Sequence, residues 1–285
     1  MMLFDHIPVD CDQINNEYIS AAELQVYIAR FDKVHPVISG NKIYKLRYFL
    51  QQAMKEKRPV VTFGGPFSNH LSATAHACRL LNLSCTGIVN GEHHPYTATL
   101  AQCEHDGMHI QYVSPTAYRE MKTETALRTF PGAVVIPEGG YHPLGAKGAA
   151  FMVKALPELT ATHICISVGT ATTLAGVLSG WEKTVIAVPA IRNMTDIPER
   201  LSYLKTTYKE EQLTVWGDYH FGGFAKSDPG LIQFMEGFRR DHSIELDRVY
   251  TAKMMFGVFD KIKKGFFAPG SIIICIHTGG LQGNK

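Results

Sequence analysis

Apolar positions along this chain alternate between two periodicities. Ile43, Leu46, Leu50, Ala53 and Met54 recur at helical spacing, which predicts a helix over 42–57. Residues 60–63 (VVTF) then form a short unbroken apolar run, ending on Gly64-Gly65, that reads as a buried strand. Helical character returns over 69–82. Similar apolar runs predict strands at 85–90, 109–113, 133–137, 163–168, 184–189, 213–216 and 271–276. Helices are predicted between most of them, including 143–156, 171–181, 196–211, 228–242 and 249–264. Buried strands alternating with helices predict an α/β fold with mainly parallel sheets, helices on both faces and right-handed crossovers. Glycine- and proline-containing stretches near Ser39-Gly40 and over 139–148 are the expected crossing points between two domains. They divide the chain into a larger domain of 1–44 and 148–285 and a smaller inserted domain of 45–147.

Composition narrows the function classes. With 285 residues, 45% of them hydrophobic and 19% charged, the chain has enough apolar mass for large cores and is not a disordered polymer. A net charge of +2 gives no footprint for nucleic acid or an anionic membrane. The longest apolar run, SIIICI at 271–276, is strand-sized and far short of the roughly 18 residues of a membrane span. The first ten residues, MMLFDHIPVD, lack the basic-then-apolar pattern of a secretory signal. The six cysteines form no C-x-x-C pair, which suits buried free thiols in a reducing cytoplasm. Thirteen histidines include no H-E-x-x-H, and His93-His94 runs into Pro95 as a loop would, so no metal is expected.

Four loop segments carry candidate chemistry. In Ser39-Gly40-Asn41-Lys42-Ile43-Tyr44-Lys45, two lysines stand three residues apart in the first turn of a predicted helix. The helix dipole disfavours cations there. Either solvent accommodates them, or an anion or covalent partner awaits both on one helix face. In Gly64-Gly65-Pro66-Phe67-Ser68-Asn69-His70, glycines allow close backbone approach, and Ser68 or Asn69 also suits a plain helix cap. Gly169-Thr170-Ala171-Thr172-Thr173 links a strand to a helix with small and hydroxyl residues, as a phosphate cup or a Thr-rich cap would. His277-Thr278-Gly279-Gly280 follows the last strand. No nucleophile–His–acid set, Walker loop or G-x-G-x-x-G accompanies them, which argues against a nicotinamide-dependent dehydrogenase. Lysines, a phosphate cup and close-approach glycines together suit a phosphorylated cofactor held by a lysine, of which pyridoxal 5′-phosphate (PLP) is the common one.

The segments SGNKIYKLRYFL, FGGPFSNHLSATA, VGTATTLAG, LDRVYTAKMMFG and IHTGG resemble the PLP-dependent family of 1-aminocyclopropane-1-carboxylate (ACC) deaminase and D-cysteine desulfhydrase. They are spread in family order over residues 35–280. The resemblance implies the tryptophan-synthase-β-like architecture called fold type II, with PLP between two three-layer domains. It implies that Lys42 carries PLP as a Schiff base and that Lys45 contacts its phosphate. Asn69 would bond the cofactor's 3′-oxygen, with Ser68, Asn69 and His70 holding the substrate carboxylate. Gly169, Thr170, Ala171, Thr172 and Thr173 would bind phosphate, and Tyr250 would reach into the active site as a catalytic group.

Two positions bear on the subfamily. ACC deaminases carry Glu directly after the tyrosine, near the pyridine nitrogen, and Leu in the C-terminal segment. Desulfhydrase-like members carry small hydroxyl residues at both, as this chain does with Thr251 beside the substrate and Thr278 beside the cofactor. The resemblance therefore implies a C–S lyase, cytoplasmic and homodimeric, acting on D-cysteine or a related D-amino acid. The alternatives are a lyase for another β-substituted amino acid such as D-serine or 3-chloroalanine, ACC deaminase, and a PLP-binding protein without turnover. The chain departs from the family pattern at Arg248, where proline is usual, in the single glycine of S-G-N-K, and in RFDKVHPVIS before it.

Overall fold

The computed structural model describes residue 4 and residues 8–91, 96–121 and 129–284. His93, His94 and Pro95 of the expected loop lie outside them. Two sheets organise the chain. The larger is built from β1 (Cys11–Ile14), β2 (Gln25–Ala29), β7 (His163–Val168), β8 (Thr184–Pro189), β9 (Leu213–Val215) and β10 (Ile272–Ile276). Its order is β1-β2-β10-β7-β8-β9, with only the β1–β2 pair antiparallel. The smaller is built from β3 (Val60–Gly64), β4 (Cys85–Asn90), β5 (Met108–Val113) and β6 (Val134–Ile136), all parallel in the order β5-β4-β3-β6.

Helices cover both faces of each sheet. They are α1 (Glu17–Ala21), α2 (Lys42–Glu56), α3 (Asn69–Leu80), α4 (Ala98–His105), α5 (Pro115–Met121), α6 (Pro143–Ala149), α7 (Phe151–Ala155), α8 (Thr172–Gly180), α9 (Ile197–Tyr203), α10 (Pro229–His242) and α11 (Thr251–Lys263). One apolar cluster joins the sheets: Ile164 and Ile274 of the larger and Val60 and Ile136 of the smaller share it with Leu46, Phe49 and Leu50 of α2. Each such side chain contributes about 1.5–3 kcal/mol by leaving water. Ile19, Phe238 and Met255 cover the other face of the larger sheet, and Tyr118 covers that of the smaller. Because the strands around each site loop are parallel, the loops after β3, β6, β7 and β10 all leave carboxyl ends. That edge is where helix N-termini converge in such sheets.

The strands expected at 85–90, 163–168 and 184–189 have those bounds. β1 and β2 were not expected, because CDQI and QVYIA are short and interrupted by polar residues; β2 is defined by pairing with β10, and β1 by pairing with β2. The expected helix 143–156 breaks at Ala150, where α8 packs so closely that a Cβ on Gly176 would lie 2.6 Å from the Ala150 nitrogen. The expected helix 196–211 stops at Tyr203, and Lys205 turns left-handed at φ 56°. The two short helices α4 and α5 carry too few turns for a periodicity to stand out.

Candidate active site

The first turn of α2 places both lysines at the carboxyl edge of the sheets. Gly40, at φ +68°, makes this possible: a Cβ there would lie 1.7 Å from the Thr278 carbonyl oxygen. Asn41 precedes the helix but does not cap it. Its Nδ2 donates instead to Thr173 Oγ1 at 2.8 Å, and its Oδ1 accepts from Lys42 Nζ at 2.7 Å. Burial pulls the Lys42 amine down to about 8, with Asp247 opposing that shift. Lys45 is buried, and its Nζ donates to the Gly139 carbonyl at 3.2 Å. Burial, and then Lys42, hold its amine well below the ordinary lysine range. Among the described residues no carboxylate forms an ion pair with either amine.

The turn after β3 brings up Ser68, Asn69 and His70. Ser68 caps α3, its Oγ accepting from Leu71 N at 3.3 Å. Asn69 Nδ2 reaches the Gly280 carbonyl at 3.5 Å, while its Oδ1 is buried with no partner. Thr62 Oγ1 donates to the Ile136 carbonyl at 2.9 Å and lies 2.8 Å from His70 Nε2. The Thr62 hydroxyl has one proton, so His70 carries its own on Nε2. That leaves His70 Nδ1 as a bare acceptor, buried and unpartnered. Burial, Lys42 and Lys45 depress this imidazole to about 3, so it stays neutral.

The turn between β7 and α8 opens an anion cup. Ala171 sits at φ 64°, a strained conformation for a residue with a side chain. This turn presents the first N–H groups of α8, which have no partner within the helix. Thr170 and Thr172 hydroxyls bond each other at 2.8 Å, and Thr172 and Thr173 are buried. A Cβ on Gly169 would lie 3.0 Å from the Tyr250 ring, so any larger residue would press on that ring. Burial, then Asp247 and Glu138, raise the Tyr250 phenol above its ordinary value.

Thr251 and Thr278 occupy different settings. Thr278 lies two residues beyond β10, is 8% exposed, and its hydroxyl makes no hydrogen bond among the described residues. Thr251 is fully buried; its Oγ1 donates to Asp247 Oδ2 at 2.8 Å and accepts from Asp247 N at 2.8 Å. The substrate contact implied by the resemblance is thus not what its hydroxyl makes here. Asp247 itself escaped the sequence reading, because it lies three residues before the N-cap position of α11 and carries no ordinary capping signal. Asn41, Thr62 and Gly139 escaped it too, because their partners are 132, 74 and 94 residues away.

The profile of the pyridoxal-phosphate dependent enzymes matches residues 19–279. The chain belongs to this family. An ACC deaminase homologue of known crystal structure is 26% identical, with 97% of this chain and 90% of that one covered and a TM-score of 0.80. A fungal L-serine ammonia-lyase from Rhizomucor miehei is 16% identical, covering 96% of this chain and 94% of its own, with a TM-score of 0.68. A hydrogen sulfide-producing enzyme from Fusobacterium nucleatum is 13% identical over 98% of both chains, with a TM-score of 0.69. At these last two identities the likeness is one of fold. The architecture is PLP fold type II, and PLP is the cofactor of this enzyme family.

The residues present fit PLP. Two buried amines without a carboxylate in contact call for an anion and an electrophile. The open N–H groups of α8 suit a phosphate. The unpartnered Asn69 Oδ1 and His70 Nδ1 are buried acceptors that await donors. Lys45→Ala is expected to weaken PLP binding by about 1.5–3 kcal/mol, the scale of a hydrogen bond to a charged group. Lys45→Arg should restore only part, since a planar fork does not replace a point charge. Equilibrium dialysis of the three proteins checks this, and an unchanged dissociation constant for Lys45→Ala refutes it.

Proposed function

We propose that this enzyme eliminates sulfide from D-cysteine, or the β-substituent from a related D-amino acid, giving a keto acid and ammonia. The observation that carries this reading is Thr278, whose carbonyl accepts from Asn41 N beside Lys42 and whose uncharged hydroxyl has no hydrogen-bond partner among the described residues. Thr251 is uncharged as well. Neither position supplies the carboxylate that the resemblance associates with ACC ring opening.

When bound, PLP takes up the negative charge that develops at Cα of an amino acid joined to it. In this reading the Lys42 amine removes the Cα proton, a task its depressed basicity suits. Lys45 and Gly169–Thr173 hold the phosphate. Asn69 orients the ring, and Ser68 and Asn69 hold the substrate carboxylate; His70, implied for that task by the resemblance, offers only the Nδ1 acceptor and so faces an N–H or O–H donor instead. His70 takes part as a neutral group, because its low basicity keeps charge off the ring. The Tyr250 phenol remains protonated and delivers a proton to the departing sulfur. Thr251 acts through Asp247, setting the turn from which Tyr250 projects. The reading extends to a homodimer acting on a small amino acid in the cytoplasm, with 45–147 as a domain inserted between 1–44 and 148–285. Among the described residues no helix is long and apolar enough to cross a membrane.

The test is to supply PLP-loaded enzyme with D-cysteine, L-cysteine, D-serine, 3-chloroalanine and ACC, and to assay sulfide, pyruvate and 2-oxobutyrate. Sulfide and pyruvate from D-cysteine bear the reading out. 2-Oxobutyrate from ACC without sulfide overturns it in favour of the deaminase. Product from no substrate leaves a PLP-binding protein. Thr278→Leu then probes the carrying residue: kcat/KM for D-cysteine is expected to fall about tenfold with PLP still bound. Unchanged kcat/KM in folded Thr278→Leu removes Thr278 from the argument.

A further inference from the structure

Lys253 lies in the first turn of α11, fully buried, and takes no part in the site described above. Its ammonium meets no carboxylate. Instead Nζ donates to three main-chain carbonyls: Gly223 at 2.7 Å, His220 at 2.9 Å and Ala190 at 3.4 Å. Three converging carbonyl oxygens around a positive charge are the surroundings that a free ammonium or potassium ion takes in a protein.

The cage belongs to a segment that needs holding. Within residues 217–226, Phe221, Gly222, Gly223 and Ala225 all adopt left-handed backbone, at φ 51°, 89°, 117° and 56°. Two of these carry side chains and are strained there. Side chains clamp the segment to α11. Tyr219 Oη donates to Asp260 at 2.6 Å, Phe221 packs edge-on against Phe256, and Phe224 packs edge-on against Tyr250 with ring centroids 6.1 Å apart. Phe224 is otherwise 58% exposed. The last of these clamps reaches the active-site tyrosine. Lys253 supplies a polar clamp between the aromatic ones: His220 immediately precedes the left-handed residues, Gly223 is one of them, and Ala190 ties the segment to the end of β8.

We infer that Lys253 is a tethered monovalent cation, whose ammonium fills a carbonyl cage and so seats the 217–226 segment, with Phe224, against Tyr250. Removing the ammonium leaves a cage that accepts a free monovalent cation. This makes Lys253 a positioning residue, and the inference stands whichever amino acid is the substrate.

Lys253→Met keeps the apolar stem and drops the ammonium; Lys253→Gln is a milder change that keeps neutral N–H donors. Hydrogen exchange of a peptide spanning 217–227 reads the segment directly, because Gly222, Gly223 and Lys226 amides are hydrogen-bonded within it. PLP-loaded parent and variants are compared in choline, ammonium and potassium chloride. The parent is expected to exchange equally slowly in all three. Lys253→Met is expected to exchange at least about tenfold faster in choline, the scale of losing a bond to a charged group. Ammonium or potassium should restore its protection, and its turnover should follow. Lys253→Gln should show the same salt response from a smaller defect, and it carries the comparison if the methionine variant cannot be purified. Unaltered protection in the variants overturns the inference. So does loss of protection that is equal in all three salts, or failure of both variants to fold even in potassium or ammonium chloride.

Discussion

Lys42→Ala is expected to lose turnover by about 10²–10⁴-fold or more, the scale of a positioned proton-transfer group, while the protein stays folded and PLP stays bound. The two effects separate because different residues hold the two ends of the cofactor. Lys45 and the start of α8 are untouched by the change, and Asn41 keeps its bond to Thr173. Borohydride reduction of the parent should fix PLP on the peptide carrying residue 42; fixation on Lys45 or Lys253 overturns the assignment. The pH dependence of cofactor capture adds an independent measure. The neutral amine is the reactive form, and burial pulls Lys42 down to about 8 from an ordinary 10.5. Capture by the cofactor-free protein should therefore rise about tenfold per pH unit up to about pH 8 and level off above it. A rise continuing past pH 10 would mean that the amine is solvated. His70, held at about 3, should add no limb near neutrality.

What the sequence revealed of this site follows from local rules that the chain breaks. Two lysines in the first turn of α2 oppose the helix dipole, and that conflict is visible without any partner. Small and hydroxyl residues between an apolar strand and a helix mark the 169–173 turn for the same reason. Asp247 broke no local rule, and Lys253 opposes the dipole only once α11 is seen to begin at Thr251 rather than at the expected residue 249. Asp247 reads as loop polarity, and Lys253 reads as one solvated charge in an otherwise apolar stretch, TAKMMFG. Each is satisfied by groups that the fold brings to it, the carbonyls of Ala190, His220 and Gly223 in the case of Lys253. The central strands were legible because burial on both faces leaves an unbroken apolar run. β1 and β2 were not, because β10, far away in the chain, defines the register of β2, and β2 that of β1.

Asp247→Ala is expected to destabilise the protein by about 2–5 kcal/mol, the cost of stranding several buried donors. Its carboxylate is 2% exposed and accepts four bonds: Val249 N at 3.0 Å, Tyr250 N at 2.9 Å, Thr251 N at 2.8 Å and Thr251 Oγ1 at 2.8 Å. Alanine leaves the three main-chain donors without an acceptor at the N-terminus of α11 and leaves the Thr251 hydroxyl only the residue 247 carbonyl at 3.4 Å, and the helix dipole loses the negative charge that complements it. Tyr250 stands within that turn, so kcat should fall with stability. Asp247→Asn separates packing from charge. One amide oxygen still accepts from Val249 and Tyr250, while the amide nitrogen faces donors at Thr251, so about half the stability loss should remain. Asparagine also removes the charge that holds up the Lys42 amine. In Asp247→Asn the midpoint for cofactor capture should therefore move below about pH 8, a shift that loss of packing alone does not produce. Thermal melts of the three proteins and the capture profile give both readings. If Asp247→Asn melts lower but captures PLP with an unmoved midpoint, Asp247 serves α11 alone and its field does not reach Lys42.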